Sequence, residues 1–289
     1  MPAVTALSRL LPKPPLRTRR GSLPPPGSLL PRNTLPPRGR APLWVAMYHS
    51  IADAADDPYR VTVSPARFAR QLRWLGDRGL RGVSVRELLA ATAEGRAKGL
   101  VGLTFDDGYA DFVDSALPLL RRHGFTATVY VLPGRLGGEN GWDAAGPRKR
   151  LLSGAEIRRI SRSGMEIGSH GLTHVALPEA DDRTLAAETR RSRELLEEMT
   201  GRPVEGFCYP YGRVDPRAMR AVRRAGYRYA CAIDPGPYTG AYALPRIHIG
   251  ENDTSWRLAA KRLLHPLRRR RPDDLELPVP YAPAVVGAR

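Results

Sequence analysis

From residue 43 onward the chain alternates between two rhythms of apolar and polar positions. Short apolar, β-branched or aromatic runs read as strands: WVAMY (44–48), VGLTF (101–105), ATVYVL (127–132), MEIGSH (165–170), GFCYP (206–210), YACAI (229–233) and ALPRIHI (243–249). Stretches with apolar residues every three to four positions lie between them and read as helices. In PARFARQLRWLGDRG, Phe68, Leu72 and Leu75 share one face, Ser64 is the N-cap and Pro65 opens the first turn. DSALPLLRRHG, AEIRRISRSG and RAMRAVRRAG each end in basic residues and then a glycine: Gly124, Gly164 and Gly226. Such endings suit the left-handed position just past a helix and the negative end of its dipole. A strand, a helix, a glycine and another strand, repeated this often, predict an α/β fold with a parallel sheet closed or nearly closed into a barrel.

In such barrels the chemistry lies at the C-terminal ends of the strands. Polar groups fall there repeatedly: His49 after the first strand, Asp106 and Asp107 after VGLTF, His170 after MEIGS, Tyr211 after FCYP, and His248 in the last strand. His170 and His174, four apart in SHGLTH, are spaced for one metal ion. Two imidazoles and one carboxylate leave positions open for water or substrate, as in catalytic sites. A cation beside the Asp106–Asp107 pair relieves their mutual repulsion. One carboxylate then binds metal and the other serves as a base toward activated water.

Charge changes the picture only at the ends. The net charge of +17 divides into eight Lys/Arg and no acids in residues 1–42, and seven Lys/Arg and no acids in 257–271. Residues 272–289 are slightly acidic, which leaves +4 for residues 43–256. No basic stripe alternates with aromatics in the body, so nucleic acid is not expected as a partner. Eleven prolines mark residues 1–42 as a disordered, basic, Pro-rich segment. Prolines also break every apolar stretch there, including the one after Arg19-Arg20, so no export signal is expected. No apolar run is long enough to span a membrane. These features fit a cytoplasmic or peripheral, envelope-associated protein. Cys208 and Cys231 are too few for a disulfide framework and read as buried thiols.

Taken together, TFDDGY, SHGLTH and FCYPYG, in this order, resemble the polysaccharide deacetylase family, the NodB homology domain of carbohydrate esterase family 4. MYHSI and LPRI resemble a subgroup that begins with a "YHS" strand. The resemblance covers roughly residues 43–256 and implies a distorted, partly closed (β/α) barrel of about seven parallel strands. It implies Asp106 as catalytic base; Asp107, His170 and His174 as ligands of one divalent metal; and Ser169 and Thr173 as supports for the two rings. Zinc suits that donor set, with cobalt, nickel or manganese as alternatives. It further implies that Tyr211, following Pro210 in the third motif, donates its backbone N–H to the oxyanion, and it places Tyr109 beside the metal motif.

Three departures from the family pattern bear on the site. The late Leu-x-His motif is replaced by LPRIHI, which leaves His248 as candidate general acid. Cys208 stands where the third motif usually has Arg, and Arg246 is the candidate to supply the missing guanidinium. The aromatic fourth motif is not evident, and Tyr238 or Tyr242 is expected to form the sugar-stacking surface. His49 is read as a supporting or substrate-binding residue.

The implied activity is hydrolysis of N-acetyl groups on sugars to free amine and acetate, a hydrolase reaction at a non-peptide carbon–nitrogen bond. The substrate is an N-acetylated carbohydrate such as a peptidoglycan- or chitin-like polymer. Two alternatives stay open: deacetylation of a small acetylated glycoside or lipid-linked sugar, and a carbohydrate-binding module without turnover. Residues 257–289 are expected as a basic C-terminal helix and tail. In it, Trp256, Leu258, Leu263, Leu264 and Leu267 either pack on the barrel or lie on an anionic surface or membrane.

Overall fold

The computed structural model describes residues 43–54 and 56–264. The predicted disorder of residues 1–42 and the tail beyond Leu264 lie outside them.

In chain order the elements are β1 (Val45–Tyr48), β2 (Ser50–Ile51), β3 (Thr62–Val63), α1 (Pro65–Gly76), β4 (Arg81–Val83), α2 (Val85–Ala93) and β5 (Leu100–Phe105). A π-helical turn (Phe112–Ala116) leads into α3 (Leu117–Arg122), and then come β6 (Thr128–Val131), α4 (Gly154–Arg162) and β7 (Glu166–Ser169). Next, α5 (Asp182–Ala186) passes through a second π-helical turn (Ala187–Arg191) into α6 (Ser192–Thr200). The chain finishes with β8 (Gly206–Cys208), α7 (Pro216–Arg224), β9 (Tyr229–Cys231), β10 (Ile247–His248) and α8 (Ser255–Leu264).

Seven strands form one parallel array in the order β10-β1-β5-β6-β7-β8-β9, with β4 pairing the first half of β5. The apolar runs predicted all seven. The sequence reading missed β4, α2 and the α5–α6 helix, and also the small parallel pair β2–β3. β1, β6, β7, β8 and β9 are buried along their whole length, which is why they lack polar alternation.

Helix ends follow local chemistry. Ser64, Ser84, Asp181 and Asp215 each accept a backbone N–H as N-cap, and Ser153 with Glu156 forms a reciprocal capping box. Gly164 and Gly226 take φ of 90° and 91° just past α4 and α7, where a side chain would be strained.

ALPRIHI does not form one continuous strand. Residues 244–246 bond to β9, through Ala232 N–H to Leu244 O (2.9 Å), Leu244 N–H to Ala230 O (2.8 Å) and Arg246 N–H to Ile233 O (3.1 Å). Ile247 and His248 then pair with β1, and Ile249 N–H reaches Met47 O at 2.9 Å. One segment thus stitches the two ends of the array together.

Outside the strands, Tyr48, Phe68, Phe105 and Phe112 form an aromatic cluster with ring centroids 4.9–5.8 Å apart. The other face packs a second, smaller cluster that includes Val45, Tyr130, Cys208, Tyr229, Cys231 and Leu244, with a buried polar group among them. Glu166 accepts from Thr128 (2.7 Å) and Tyr229 (2.9 Å), and the Tyr130 hydroxyl meets Cys231 Sγ at 3.2 Å. Both cysteines are free and buried. The helix of the C-terminal segment begins at Ser255 and buries Leu258, so a boundary after residue 256 falls inside an element of the body.

A methyl group at Gly168 would stand 2.5 Å from the Tyr130 ring. Gly168→Ala is therefore expected to lower unfolding free energy by about 1–3 kcal/mol, as overpacking does. Urea denaturation followed by far-UV circular dichroism measures it.

Candidate active site

The site is built where β5 ends. Asp106 continues the strand, its N–H bonded to Tyr48 O at 3.0 Å, and then the backbone reverses sharply. Asp107 and Gly108 take φ of 68° and 66°, and Tyr109 buries its ring below them. An aspartate in the left-handed region is uncommon. Here it turns the two neighbouring carboxylates to different partners.

Asp107 faces the histidines. Its Oδ1 lies 3.2 Å from His170 Nε2 and 3.3 Å from His174 Nε2. Tetrahedral zinc with ligands at about 2.0–2.2 Å requires donor atoms about 3.3–3.5 Å apart, so the three fit one ion. The tautomer of His170 supports the fit. Its Nδ1 is 2.9 Å from Cys208 O, and a carbonyl only accepts, so Nδ1 carries hydrogen. In the neutral ring the Nε2 lone pair then points at a carboxylate, which is repulsive unless a cation lies between them. In the protonated state the rings donate to Asp107 instead: burial disfavours the charged carboxyl, but hydrogen bonds from both rings outweigh it and hold it well below its usual range. Burial likewise opposes the charge on His170, and Asp107 prevails, raising its pKa.

Asp106 faces a guanidinium. Arg246 donates to its two oxygens at 2.6 and 2.7 Å, and also to Thr104 Oγ1, Ala232 O and Cys208 Sγ (3.0, 2.9 and 3.0 Å). Burial pushes the Asp106 carboxyl up, the Arg246 charge and hydrogen bonds push it down, and the balance lies below the ordinary value. Asp106, His170 and Cys208 also approach one another closely enough to ligate a metal. That set does not suit a cation, because Arg246 already occupies Asp106 and Cys208, and burial keeps the Cys208 thiol protonated.

The loop joining the two histidines is held by a residue that the sequence reading missed. Buried Glu188, in the π-helical turn between α5 and α6, accepts from Leu172 N–H (2.6 Å), Thr173 N–H (3.1 Å) and the Thr173 hydroxyl (2.5 Å). A side chain at Gly171 would collide with it. Ser169 bonds Gly171 N–H (3.2 Å) and Ser192 Oγ (2.9 Å). Ser169 and Thr173 thus brace the loop that carries the two histidines, through Gly171, Ser192 and Glu188. His174 has φ 76°, with its ring between Trp142 (4.4 Å, stacked) and Tyr211 (4.5 Å, edge-on).

His49, read from the sequence as a supporting residue, approaches the carboxylate: its Nε2 is 4.0 Å from Asp106 Oδ2. The ring of His248, the candidate acid, lies 6.3 Å from that of His49 between centroids. Asp111 fixes the chain just after His49 by accepting from the Ser50 hydroxyl (2.6 Å) and Ile51 N–H (2.9 Å). Tyr242 cannot stack on a sugar: it is buried and donates its hydroxyl to Tyr227 O. Tyr238 packs against the core. Tyr211, which follows buried Pro210 and has φ 58°, and Tyr59 are exposed instead, at 47% and 44%. Asp143, beside Trp142, has its carboxyl pKa raised by partial burial and by the charge of Asp107. Trp142 and Asp143 sit in GWDAAG, where neither period nor motif marks them.

A family model described as polysaccharide deacetylase matches residues 93–230. YxkH of Bacillus subtilis (strain 168), a polysaccharide deacetylase by name, is 26% identical over 214 residues, 72% of each chain. Deacetylase PplD of Streptococcus pyogenes superposes with a TM-score of 0.65 at 25% identity, covering 76% of this chain and 97% of that one. In family model, sequence and fold the chain is similar to polysaccharide deacetylases. A third relative, the poly-beta-1,6-N-acetyl-D-glucosamine N-deacetylase of Staphylococcus aureus (strain MSSA476), is 23% identical over 204 residues, 66% of this chain and 69% of its own. Polysaccharide deacetylases are metal-dependent, and Asp107, His170 and His174 are a set able to hold the ion.

Removing an outer support of metal ligands typically costs 10–100-fold in affinity. Glu188→Ala is expected to weaken divalent-metal binding by about that factor, as read by competition with a chromophoric chelator. Far-UV circular dichroism should be unchanged.

Proposed function

We propose that the protein is a metal-dependent deacetylase that hydrolyses N-acetyl groups on a polymeric carbohydrate to free amine and acetate. One observation carries the reading: a buried three-donor set, Asp107 with His170 and His174, lies beside a carboxylate that arginine clamps through both oxygens. Zinc is the ion the donors suit best. When bound, it supplies Lewis-acid polarisation of an amide carbonyl and acidifies water.

The protein groups supply the rest. Asp106 accepts the proton of the attacking water. The fork of Arg246 fixes both its oxygens, so the carboxylate stays ionised and aimed without having to reorganise. Such a clamped base is weak, and the acidified water compensates for that. Tyr211 contributes its backbone N–H to the developing oxyanion, where one donor is worth about 10²–10³ in rate. His49, near Asp106 and part-exposed at the mouth, delivers the proton that the departing sugar amine needs. His248 stands behind it as a neighbour, its pKa lowered by burial and by His49.

Tyr211 and Tyr59 offer open aromatic faces at the rim, which favours an extended glycan over a small enclosed glycoside. The Staphylococcus aureus relative is named for a polymer of N-acetylglucosamine, the substrate class proposed here. Cys208 in place of arginine, the ground for a non-catalytic binding module, loses its force because Arg246 fills the role.

The test is release of acetate and amine from chito-oligosaccharides, peptidoglycan fragments and poly-β-1,6-N-acetylglucosamine by metal-loaded protein. Asp106→Asn and His49→Ala are expected to lower kcat by about 10²–10⁴, as loss of a general base or acid does. His248→Ala should cost far less. Equal losses at His49 and His248 would reassign the acid, and turnover of none of the three polymers would sink the proposal. Arg246→Lys, which loses the bidentate fork, is expected to lower kcat while KM changes little.

A further inference from the structure

Helix α8 is amphipathic in the reverse of the usual sense. At 100° per residue, Ala259, Leu263, Trp256, Ala260 and Leu264 fall within an arc of about 140°. Trp256, Leu263 and Leu264 are 69%, 76% and 43% exposed, so this apolar stripe faces solvent. The opposite face holds the helix to the body. Leu258 is 3% exposed within the core, and Lys261 Nζ donates to His248 O (2.6 Å) and Asp253 Oδ2 (2.5 Å). Of the residues expected to form an apolar face, Leu258 therefore belongs to the barrel.

An apolar stripe on a firmly anchored helix, left in water, marks a surface meant to be covered. Charge identifies the cover. Residues 257–271 carry seven Lys/Arg and no acid, with four consecutive arginines at 268–271. The Arg257 guanidinium lies 5.6 Å from the centroid of the Trp256 ring, which puts cation and aromatic side by side, as at a lipid headgroup layer. A second copy of this chain would bring like charges together. A neutral protein groove would offer this basic stretch no anionic partner. Among the described residues no helix is long and apolar enough to cross a membrane, so the helix can lie on a bilayer but not span it.

We propose that α8 and the arginine run after it dock the protein on an anionic phospholipid surface, with Trp256, Leu263 and Leu264 entering the interface. Lys261 ties the helix to β10 through His248 O, so docking carries the barrel with it.

The test is sedimentation of the full chain with vesicles of phosphatidylcholine alone and with added phosphatidylglycerol, at low and high salt. Partition is expected only with phosphatidylglycerol, falling as salt rises. Trp256→Ser/Leu263→Ser/Leu264→Ser is expected to lower the partition coefficient about tenfold or more. Replacing Arg268, Arg269, Arg270 and Arg271 with Gln should abolish the preference for anionic lipid. Brominated lipid should quench tryptophan fluorescence in the parent chain, and the quenching should fall when Trp256→Phe is introduced alone. Far-UV circular dichroism and metal affinity establish that each variant is folded, and neither depends on deacetylase turnover. Equal partition of parent and triple variant would overturn the proposal. So would binding to an anionic glycopolymer in place of vesicles, or concentration-dependent dimers that the triple variant lacks.

Discussion

Asp106 and Arg246 meet inside the barrel through two hydrogen bonds of 2.6 and 2.7 Å, both side chains all but sealed from solvent. A carboxylate alone in that position would be neutralised or would cost several kcal/mol, and so would the guanidinium. Each is tolerable because of the other, and the site's division of labour rests on that pairing. With its charge matched by arginine, Asp106 has no demand for a metal. Asp107, one residue on and turned the other way, is met by two imidazoles and the Tyr109 hydroxyl, with no fixed cation beside it among the described residues. Two adjacent acids thus acquire separate roles without a change of residue type.

The same pairing bears on the architecture. Arg246 sits in the segment that bonds to β9 on one side and leads into the pairing with β1 on the other. Its side chain then crosses the interior to the end of β5. The ion pair fastens the last segment to the centre of the sheet, while the backbone bonds of that segment aim the guanidinium.

Much of this was legible in the chain. The seven apolar runs gave the parallel array, because strands buried on both faces need no polar alternation and show as uninterrupted blocks. SHGLTH and TFDD stated donor chemistry at strand ends, and Cys208 in the third motif pointed to Arg246 as the replacement guanidinium. What stayed hidden had no periodic or motif signal. Glu188 looks like any helical glutamate in AAETRRS, and only the π-helical turn rotates it onto the metal loop. Trp142 lies in a loop whose path no local rule specifies. Tyr242 shows the opposite failure: an aromatic near the expected mouth, with nothing nearby in sequence to reveal that its hydroxyl is tied to Tyr227. Strands of two or three residues, β2, β3 and β4, are too short to carry a pattern.

The position of Arg246 in the chain also matters for truncated chains. Asp107, His170 and His174 are all in the chain by residue 174, whereas the guanidinium that pairs with Asp106 comes seventy-two residues later. The segment that closes the array therefore also completes the ion pair, and a chain cut short before it would leave a buried carboxylate at the end of β5 without its counter-charge.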